Sequence, residues 1–239
     1  MRIVLLGYGK MGKAIEQIAI SRGHEVVARI DQNNREKLEE LSKEDVDVAI
    51  EFSIPSAAID NIYTSFEKGW PVVCGTTGWL EHKADVIANC KAKNGGFFYA
   101  SNYSIGVNLF FKLNKYLAKL VKGHGYDISM TEVHHIHKLD APSGTAITLA
   151  EGIQEGDDTI LGWTMVDEPK DNFIPITAER RGEVPGTHII NYTSTVDDIQ
   201  ISHTAHSRQG FALGAVVAAE WMVNKQGVYS MDDMLSESF

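Results

Sequence analysis

The sequence has little of what secreted, membrane-spanning or nucleic-acid-binding proteins require. It contains two cysteines in 239 residues, too few for a disulfide scaffold. Its longest uncharged apolar run, residues 211–219, is too short to cross a bilayer. Lys and Arg number 22 against 32 Asp and Glu, and the formal net charge of −10 argues against nucleic acid or an anionic membrane as a partner.

The N-terminus lacks the apolar core of a secretory leader, because its first hydrophobic run ends at Gly7. We therefore expect a reduced, cytoplasmic protein in which Cys74 and Cys90 are packing residues. A content of 44% hydrophobic and 23% charged residues is ordinary for a globular chain, and the length suits one large domain or two modest ones.

Residues 1–31 have the pattern of a dinucleotide-binding unit. The run RIVLL predicts a buried parallel strand, GYGKMG follows it, and apolar residues at helical spacing precede a second strand that ends in Asp31. Gly7 allows a tight turn, Gly9 lets a pyrophosphate approach the backbone, and Gly12 lets helix and strand pack closely. A plain structural loop is the alternative, but it does not explain the strand, helix and acid around the motif.

Asp31 predicts which nicotinamide cofactor is preferred. A carboxylate at this position accepts hydrogen bonds from the ribose hydroxyls of NADH and repels the 2′-phosphate of NADPH. The next three residues, 32–34, are uncharged, and Arg29 and Arg35 lie a little further away. NADH is therefore the predicted cofactor, with NADPH as the alternative.

Strands alternate with helices up to residue 105, which predicts a Rossmann-type, doubly wound parallel sheet of the α/β class. Two polar turns, 75–78 and 100–103, follow strands at the edge where ligands of such sheets collect. For the 75–78 turn alone, an ordinary polar turn would be the favoured interpretation. Its position after a parallel strand makes a cofactor contact the better one.

The pattern changes after residue 125. A strand-like stretch, a polar region at 152–186 and two alternating strands joined at Asp197-Asp198 predict an inserted α+β domain with a mixed sheet. An apolar helix then returns to the first domain. We predict a dinucleotide-binding domain at 1–105 and 209–239, and a domain for substrate binding and oligomerisation at 106–208.

The stretch EVHHIHKLDAPSGT, residues 132–145, has three interpretations. A metal could bind His-His-x-His with Asp140, but no HExxH or CxxC accompanies it, and adjacent histidines on an extended chain point to opposite sides. We therefore predict no metal. Solvated side chains at a strand end are a second interpretation, which we favour for His137.

The third interpretation is a site for proton transfer and anion binding. His134 and Lys138 are four residues apart and share a face of either a strand or a helix. A histidine titrates near neutrality, and a lysine can donate a proton while fixing a negative charge. The N–H groups of Gly144 and Thr145, at a predicted helix start, suit a carboxylate. These groups predict a basic pocket for an acidic small molecule.

The string E-x-H-H-x-H-K-x-D-A-P-S-G-T closely resembles that of the 4-hydroxy-tetrahydrodipicolinate reductase (dihydrodipicolinate reductase) family of bacterial and plant lysine biosynthesis. Further segments extend the resemblance over essentially the whole chain: GYGKMG, EFSIP at 51–55, VVCGTTG at 72–78, ASNYSIGVN at 100–108, VPGT at 184–187 and SRQGFALGAV at 207–216.

The resemblance implies NAD(P)H-dependent reduction of 4-hydroxy-2,3,4,5-tetrahydrodipicolinate by hydride transfer to ring C4, in a homotetramer. It implies that His134 accepts and donates a proton, that Lys138 donates one, and that His135, Gly144 and Thr145 hold the substrate. The positions that it assigns to the cofactor are Gly7, Tyr8, Gly9, Lys10, Met11, Gly12, Asp31, Gly75, Thr76, Thr77, Ala100, Ser101, Asn102 and Tyr103.

The chain departs from many members of this family in two respects. It has fewer residues between Asp31 and the EFSIP strand, which predicts a trimmed element there. It also has Gln32 where many members have an arginine, which bears on the use of NADPH. Two other functions stay open: a nicotinamide-dependent amino-acid dehydrogenase of the same architecture, and a non-catalytic NADH-binding regulator, against which Lys138 argues.

Overall fold

Two separate β-sheets organise the computed structural model, which describes residues 1–207 and 209–237. The chain clusters into two units, Met1–Ile105 with Gln209–Phe239, and Gly106–Arg208. Among the described residues, no helix combines the length and the apolar composition needed to cross a membrane.

The bounds of the elements follow, in chain order. The strands are β1 (Arg2–Leu6), β2 (Glu25–Ile30), β3 (Val48–Glu51), β4 (Val72–Cys74), β5 (Gly96–Tyr99), β6 (Asp127–His134), β7 (Gly162–Met165), β8 (Phe173–Arg180), β9 (Thr187–Thr193), β10 (Asp198–Thr204) and β11 (Gly227–Tyr229). The α-helices are α1 (Lys10–Ser21), α2 (Pro55–Glu67), α3 (Lys83–Ala92), α4 (Ile105–Val121), α5 (Gly144–Gly156), α6 (Gln209–Met222) and α7 (Met231–Glu237).

The first unit has a six-stranded sheet of order β11-β5-β4-β3-β1-β2, in which all pairs are parallel. This confirms the predicted doubly wound sheet. After Arg2, strand β1 is apolar because both of its faces are covered: Ile3 and Leu5 pack in one core, Val4 and Leu6 in the other. The chain order reverses at β1, where such sheets bind ligands beyond the carboxyl ends of their strands.

The segment between β2 and β3 contains two short 3₁₀ helices, Arg35–Glu40 and Lys43–Asp45, where a doubly wound fold usually has a full α-helix. Leu38 anchors the first of them in the core. The predicted shortening after Asp31 therefore corresponds to two short 3₁₀ segments, of six and three residues.

The second unit has a five-stranded sheet of order β10-β9-β6-β8-β7, with antiparallel β10–β9 and β6–β9 pairs and parallel β6–β8 and β7–β8 pairs. This confirms the mixed sheet. Strands β9 and β10 form the predicted hairpin, but its turn lies at 194–197, and Asp198 is already part of β10 because it pairs with Thr193. Helices α4 and α5 pack on one face, through residues such as Phe110, Leu149 and Ile153. Alternation in β9 turns Ile190 and Tyr192 towards these helices.

Helix α6 packs closely in the first unit because of a glycine. A Cβ built on Gly214 would lie 1.6 Å from the backbone oxygen of Tyr103, whereas one on Gly210 would come no closer than 3.7 Å to Ser104 Oγ. The close approach of α6 to the backbone of Tyr103 therefore requires a glycine at position 214 but not at position 210.

We expect Gly214→Ala to lower the free energy of unfolding by about 1–3 kcal/mol, because the helix must move away from Tyr103. Gly210→Ala, in the same helix, is the control and should be neutral or slightly stabilising, since alanine is the better helix former. Urea unfolding followed by circular dichroism measures both. Equal stability of the two variants would contradict this account of α6.

Candidate active site

The glycine turn of the first unit leaves backbone N–H groups open at the start of α1. Gly9 is the N-cap, and no side chain of the described residues caps this helix. A Cβ built on Gly9 would have none of the described atoms within 4 Å outside its own neighbourhood in the chain. A Cβ built on Gly7 would lie 2.1 Å from Phe52 O, and a Cβ built on Gly12 would lie 2.2 Å from Gly7 O. Gly7 and Gly12 therefore serve packing, and Gly9 faces open space. A dinucleotide pyrophosphate fits this arrangement.

Asp31 follows the last residue of β2 and is exposed. Its carboxylate accepts a hydrogen bond from the N–H of Asn33 at 2.7 Å, and its own N–H donates to Asn34 Oδ1 at 2.8 Å. The loop thus fixes the carboxylate at the edge of the sheet, where a ribose would be recognised.

The two arginines near Asp31 are both engaged. Arg29 pairs with Glu16, which also accepts a hydrogen bond from the hydroxyl of Tyr8. Burial alone would raise the pKa of Glu16, but Tyr8 and Arg29 outweigh it and lower that pKa. Arg35 donates to Asn61 and, at 3.2 Å, to Thr64 Oγ1. Both guanidinium groups thus already have acceptors within the protein.

Phe52 joins two of the predicted cofactor turns. A Cβ on Gly75 would lie 2.2 Å from the Phe52 ring, and the Phe52 carbonyl limits Gly7. Thr76 Oγ1 accepts a hydrogen bond from the N–H of Ser53 at 2.8 Å. The EFSIP strand end therefore holds the glycine turn and the 75–78 turn together, a role that the sequence did not signal.

The remaining positions assigned to the cofactor differ in exposure. Tyr103 is buried, packs on Phe52 and Phe98, and donates its hydroxyl hydrogen bond to Cys74 O at 2.7 Å. It supports the turn from within the core. Exposed positions are Lys10, Thr77 and Ser101; half-buried ones are Tyr8, Met11 and Asn102; Ala100 is buried.

In the second unit, β6 brings Glu132 and His134 to the same, inward face. The two are 0% and 8% exposed. Strand alternation places residues i and i+2 on one side, and α5 covers that side. We call Glu132, His134, Ser143, Arg180 and His188 the Glu132 cluster.

Three groups surround the Glu132 carboxylate. The N–H of Ser143 donates to both oxygens at 3.1 and 3.2 Å, Arg180 Nη2 lies 3.3 Å from Oε1, and His134 Nδ1 lies 3.3 Å from Oε2. Burial would raise the pKa of Glu132, but His134 and Ser143 outweigh it and lower this pKa to about 2. The carboxylate is therefore charged throughout the physiological range.

His188, on β9, completes the Glu132 cluster. Its Nε2 lies 3.2 Å from Ser143 Oγ and 3.8 Å from Glu132 Oε2, and its ring packs edge-on to His134 at 5.1 Å. Burial, together with the neighbouring His134, lowers the pKa of His188 to about 4. The side chain is therefore neutral at pH 7.

Lys138 lies in the loop after β6, with its Nζ 2.7 and 2.8 Å from the two carboxylate oxygens of Asp140. This contact lowers the pKa of Asp140. Arg180 fixes the same loop, because its Nε donates to Lys138 O at 3.3 Å and its Nη2 to Asp140 O at 2.6 Å. Arg180 thus connects Glu132 with the backbone of the predicted proton donor and of Asp140, two residues after it.

Helix α5 begins at Gly144, where the sequence predicted a helix start. Ser143 is the N-cap, and its Oγ accepts from the N–H of Ala146 at 3.2 Å. Gly144 is exposed, Thr145 is half-buried, and a Cβ on Gly144 would meet none of the described atoms within 4 Å. The first N–H groups of the helix can therefore reach an anion.

The other two histidines of the motif lie apart from the Glu132 cluster. His137 is 69% exposed at its side chain and lies 3.2 Å from Glu183, in keeping with a solvated role. His135 is half-buried, and its Nδ1 is buried without a hydrogen-bond partner among the described residues.

A group with metal-ligand geometry does occur within the described residues, but it is Glu132, His134 and His188 rather than His-His-x-His with Asp140. Its carboxylate already accepts from Arg180 and Ser143. A divalent cation would compete with the adjacent guanidinium, so the donor set suits a hydrogen-bonded carboxylate better.

Both parts of the chain match models of one known protein family. Residues 1–103 match the family model described as "Dihydrodipicolinate reductase, N-terminus", and residues 106–235 match the one described as "Dihydrodipicolinate reductase, C-terminus". The chain belongs to the dihydrodipicolinate reductase family.

Individual family members support this membership over the full length. The chain is 50% identical over 240 residues to a 4-hydroxy-tetrahydrodipicolinate reductase of Christiangramia forsetii, covering 100% of this chain and 99% of the relative. It is 35% identical over 259 residues to one of Archaeoglobus fulgidus, covering 98% and 100%. A solved structure, dipicolinate-bound dihydrodipicolinate reductase from Paenisporosarcina sp. TG-14, shares the fold with a TM-score of 0.78 at 22% identity, covering 98% of both chains.

Because His188 is buried in the Glu132 cluster, we expect the protein to lose stability in mild acid. His188 titrates near pH 6.5 when unfolded and near 4 when folded, so between these values the unfolded chain binds the extra proton. The free energy of unfolding should therefore fall by on the order of 3 kcal/mol from neutral pH to pH 4 on account of this group.

Urea unfolding across this pH range tests the expectation. His188→Gln should flatten the pH dependence relative to wild type, while His82→Gln, at an exposed position, should leave it unchanged. An equally steep loss in His188→Gln would show that another group is responsible.

Proposed function

We propose that the chain reduces 4-hydroxy-2,3,4,5-tetrahydrodipicolinate to 2,3,4,5-tetrahydrodipicolinate with NAD(P)H, in the diaminopimelate route of lysine biosynthesis. The observation that carries this proposal is the full-length match to reductases of that name, in a chain that has His134, Lys138 and the α5 start in place. One substrate, one hydride and one proton give the product and one water molecule.

Lys138 is the proposed proton donor. A bound reduced nicotinamide supplies the hydride to ring C4. For this to occur the hydroxyl first leaves as water together with a proton from the adjacent ring carbon, which gives a conjugated imine. Hydride addition at C4 of that imine moves charge towards the ring nitrogen, and the ammonium Nζ of Lys138 can deliver the proton there, aided by His134. A well-placed acid contributes a factor of roughly 10² to 10⁴. Asp140 pairs with this ammonium at 2.7 Å in the absence of substrate, and a substrate carboxylate could take its place.

The substrate-holding groups are proposed to be His135 and the N–H groups of Gly144 and Thr145. They present an imidazole and backbone donors at the positive end of a helix dipole to a dianion, in a protein whose net charge is −10. Fixing one carboxylate keeps the ring carbon in reach of the hydride, which lowers the entropic part of the barrier. The cofactor is proposed to contact the glycine turn, Asp31 and the turns after β4 and β5.

We also propose a homotetramer assembled through the mixed sheet. Both helices of the second unit lie on one face. The opposite face carries Val133, Thr177 and Ile189, which alternate with the core residues of their strands. A face of this kind suits pairing with another copy. The cytoplasmic location stays a prediction from the sequence.

The proposed donor predicts the effect of Lys138→Ala. Turnover of freshly prepared substrate should fall by roughly 10²-fold or more, because general-acid assistance is lost, and NADH affinity should stay near wild type. NADH oxidation followed at 340 nm and a binding titration measure the two. Lys122→Ala is a matched control, since Lys122 also pairs with an aspartate, at 2.6 Å, in the same unit.

Full activity in Lys138→Ala would contradict the assigned donor. No activity in the wild-type protein with either nicotinamide would contradict the proposed reaction. The amino-acid dehydrogenase alternative predicts the latter result, together with NAD-dependent oxidation of an amino acid.

NADH is the proposed preferred cofactor because Asp31 is exposed at the sheet edge and both nearby arginines are engaged. We expect the KM for NADH to be at least about tenfold below that for NADPH, as one repelled phosphate would produce. Asp31→Ser should narrow the difference, mainly by improving the KM for NADPH. A tenfold advantage for NADPH in the wild type would overturn the preference.

A further inference from the structure

Glu132 is a charged carboxylate with no exposed surface, which is costly unless other groups hold it. It does not belong to the residues that the proposed reaction uses. It lies on β6, two residues before His134 and on the same face. Its position therefore requires an explanation beyond packing.

The partners of Glu132 come from separate parts of the unit. The N–H of Ser143 belongs to the cap of α5, and Arg180 ends β8. Arg180 is itself fixed by the carbonyls of Lys138, Asp140 and Glu179. The carboxylate is thus held in one place by groups that do not depend on His134.

The ring of His134 has two different sides. Its Nδ1 is buried, 3.3 Å from Glu132 Oε2, and makes no aligned hydrogen bond within the described part of the chain. On the other side, a Cβ on Gly186 would lie 3.0 Å from Nε2, so the glycine keeps that nitrogen clear. A small rotation of the ring would align Nδ1 with the carboxylate.

We propose that Glu132 is a positioning residue that sets the tautomer of His134: its carboxylate accepts the Nδ1–H and leaves Nε2 as the nitrogen that takes up and returns a proton. This rests on the function proposed above for His134. A hydrogen bond to one ring nitrogen decides which nitrogen of an imidazole is available.

The other members of the Glu132 cluster support this arrangement. Arg180 and Ser143 stabilise the charged carboxylate, so the proton stays on the imidazole rather than moving to Glu132. His188 packs edge-on against His134 at 5.1 Å and restricts rotation of the ring. Lys138 and Asp140 face each other in the loop beyond and do not reach Nδ1 in the contacts described.

The first measurement is a two-dimensional ¹H–¹⁵N spectrum of the imidazoles in the ligand-free, wild-type protein labelled with ¹⁵N-histidine. At about pH 9 a histidine with an ordinary pKa is neutral and shows its tautomer. The His134 signals are identified by their loss in His134→Gln. We expect a protonated Nδ1 and an unprotonated Nε2. The reverse tautomer would overturn the proposal.

The second measurement uses Glu132→Gln, which keeps the shape and removes the charge. His134 should then populate both tautomers, and kcat should fall by about 10- to 10³-fold, part of the range for a proton-transfer group. The KM and the Kd for pyridine-2,6-dicarboxylate should stay within about twofold, because the substrate-holding groups are unaltered. An unchanged kcat, or a loss confined to KM, would overturn the proposal.

Glu183→Gln is the matched control, because Glu183 also lies 3.2 Å from a histidine, but at an exposed pair with His137. Its spectrum at His134 and its kcat should equal those of wild type. If Glu132→Gln does not fold, the wild-type spectrum still decides the tautomer. That spectrum needs no substrate, so the two proposals can fail separately. An inactive wild-type protein with the expected tautomer would refute the proposed function alone. An active wild-type protein with the reverse tautomer would refute the positioning role alone.

Discussion

The buried charge of Glu132 is the interaction on which the organisation of the second unit's site depends. A carboxylate without water must be met by donors, and the donors here come from the α5 cap, the end of β8 and the end of β6. Satisfying one charge therefore fixes the helix start that would receive a substrate carboxylate, the arginine that braces the following loop, and the histidine proposed to transfer a proton. Deleting the whole side chain would leave all three without this common partner.

A different constraint shapes the site of the first unit, where backbone rather than charge sets the geometry. Gly7, Gly12 and Gly75 each approach a neighbour so closely that a methyl group would overlap with it, and two of these approaches involve Phe52. Gly9 alone of the motif borders open space. The turn is thus built rigidly from packing, and its donors remain available for an anion. The motif is visible in the sequence because only glycine fits at Gly7 and Gly12.

The sequence predicted the features that follow from local rules. Alternating strands and helices predicted the parallel sheet, and the Asp197-Asp198 signal predicted the β9–β10 hairpin. The Glu132 cluster was not predicted, because Arg180 and His188 reach Glu132 from 48 and 56 positions away along the chain. One local signal was available: alternation from Met130 places Glu132 and His134 on the inward face. An acid on that face needs partners, but their identity depends on the register between β6 and β8.

The two groups proposed to transfer protons have acidic partners of opposite character. Asp140 is 58% exposed, so water screens its attraction for Lys138 and the ammonium can exchange this carboxylate for one on a substrate. Glu132 is buried and cannot be replaced, so its hold on His134 persists through a catalytic cycle. One acid is thus suited to being displaced and the other to remaining. An acidic protein can in this way present an ammonium group to a dianion, because the exposed acid that pairs with Lys138 can be displaced when the substrate arrives.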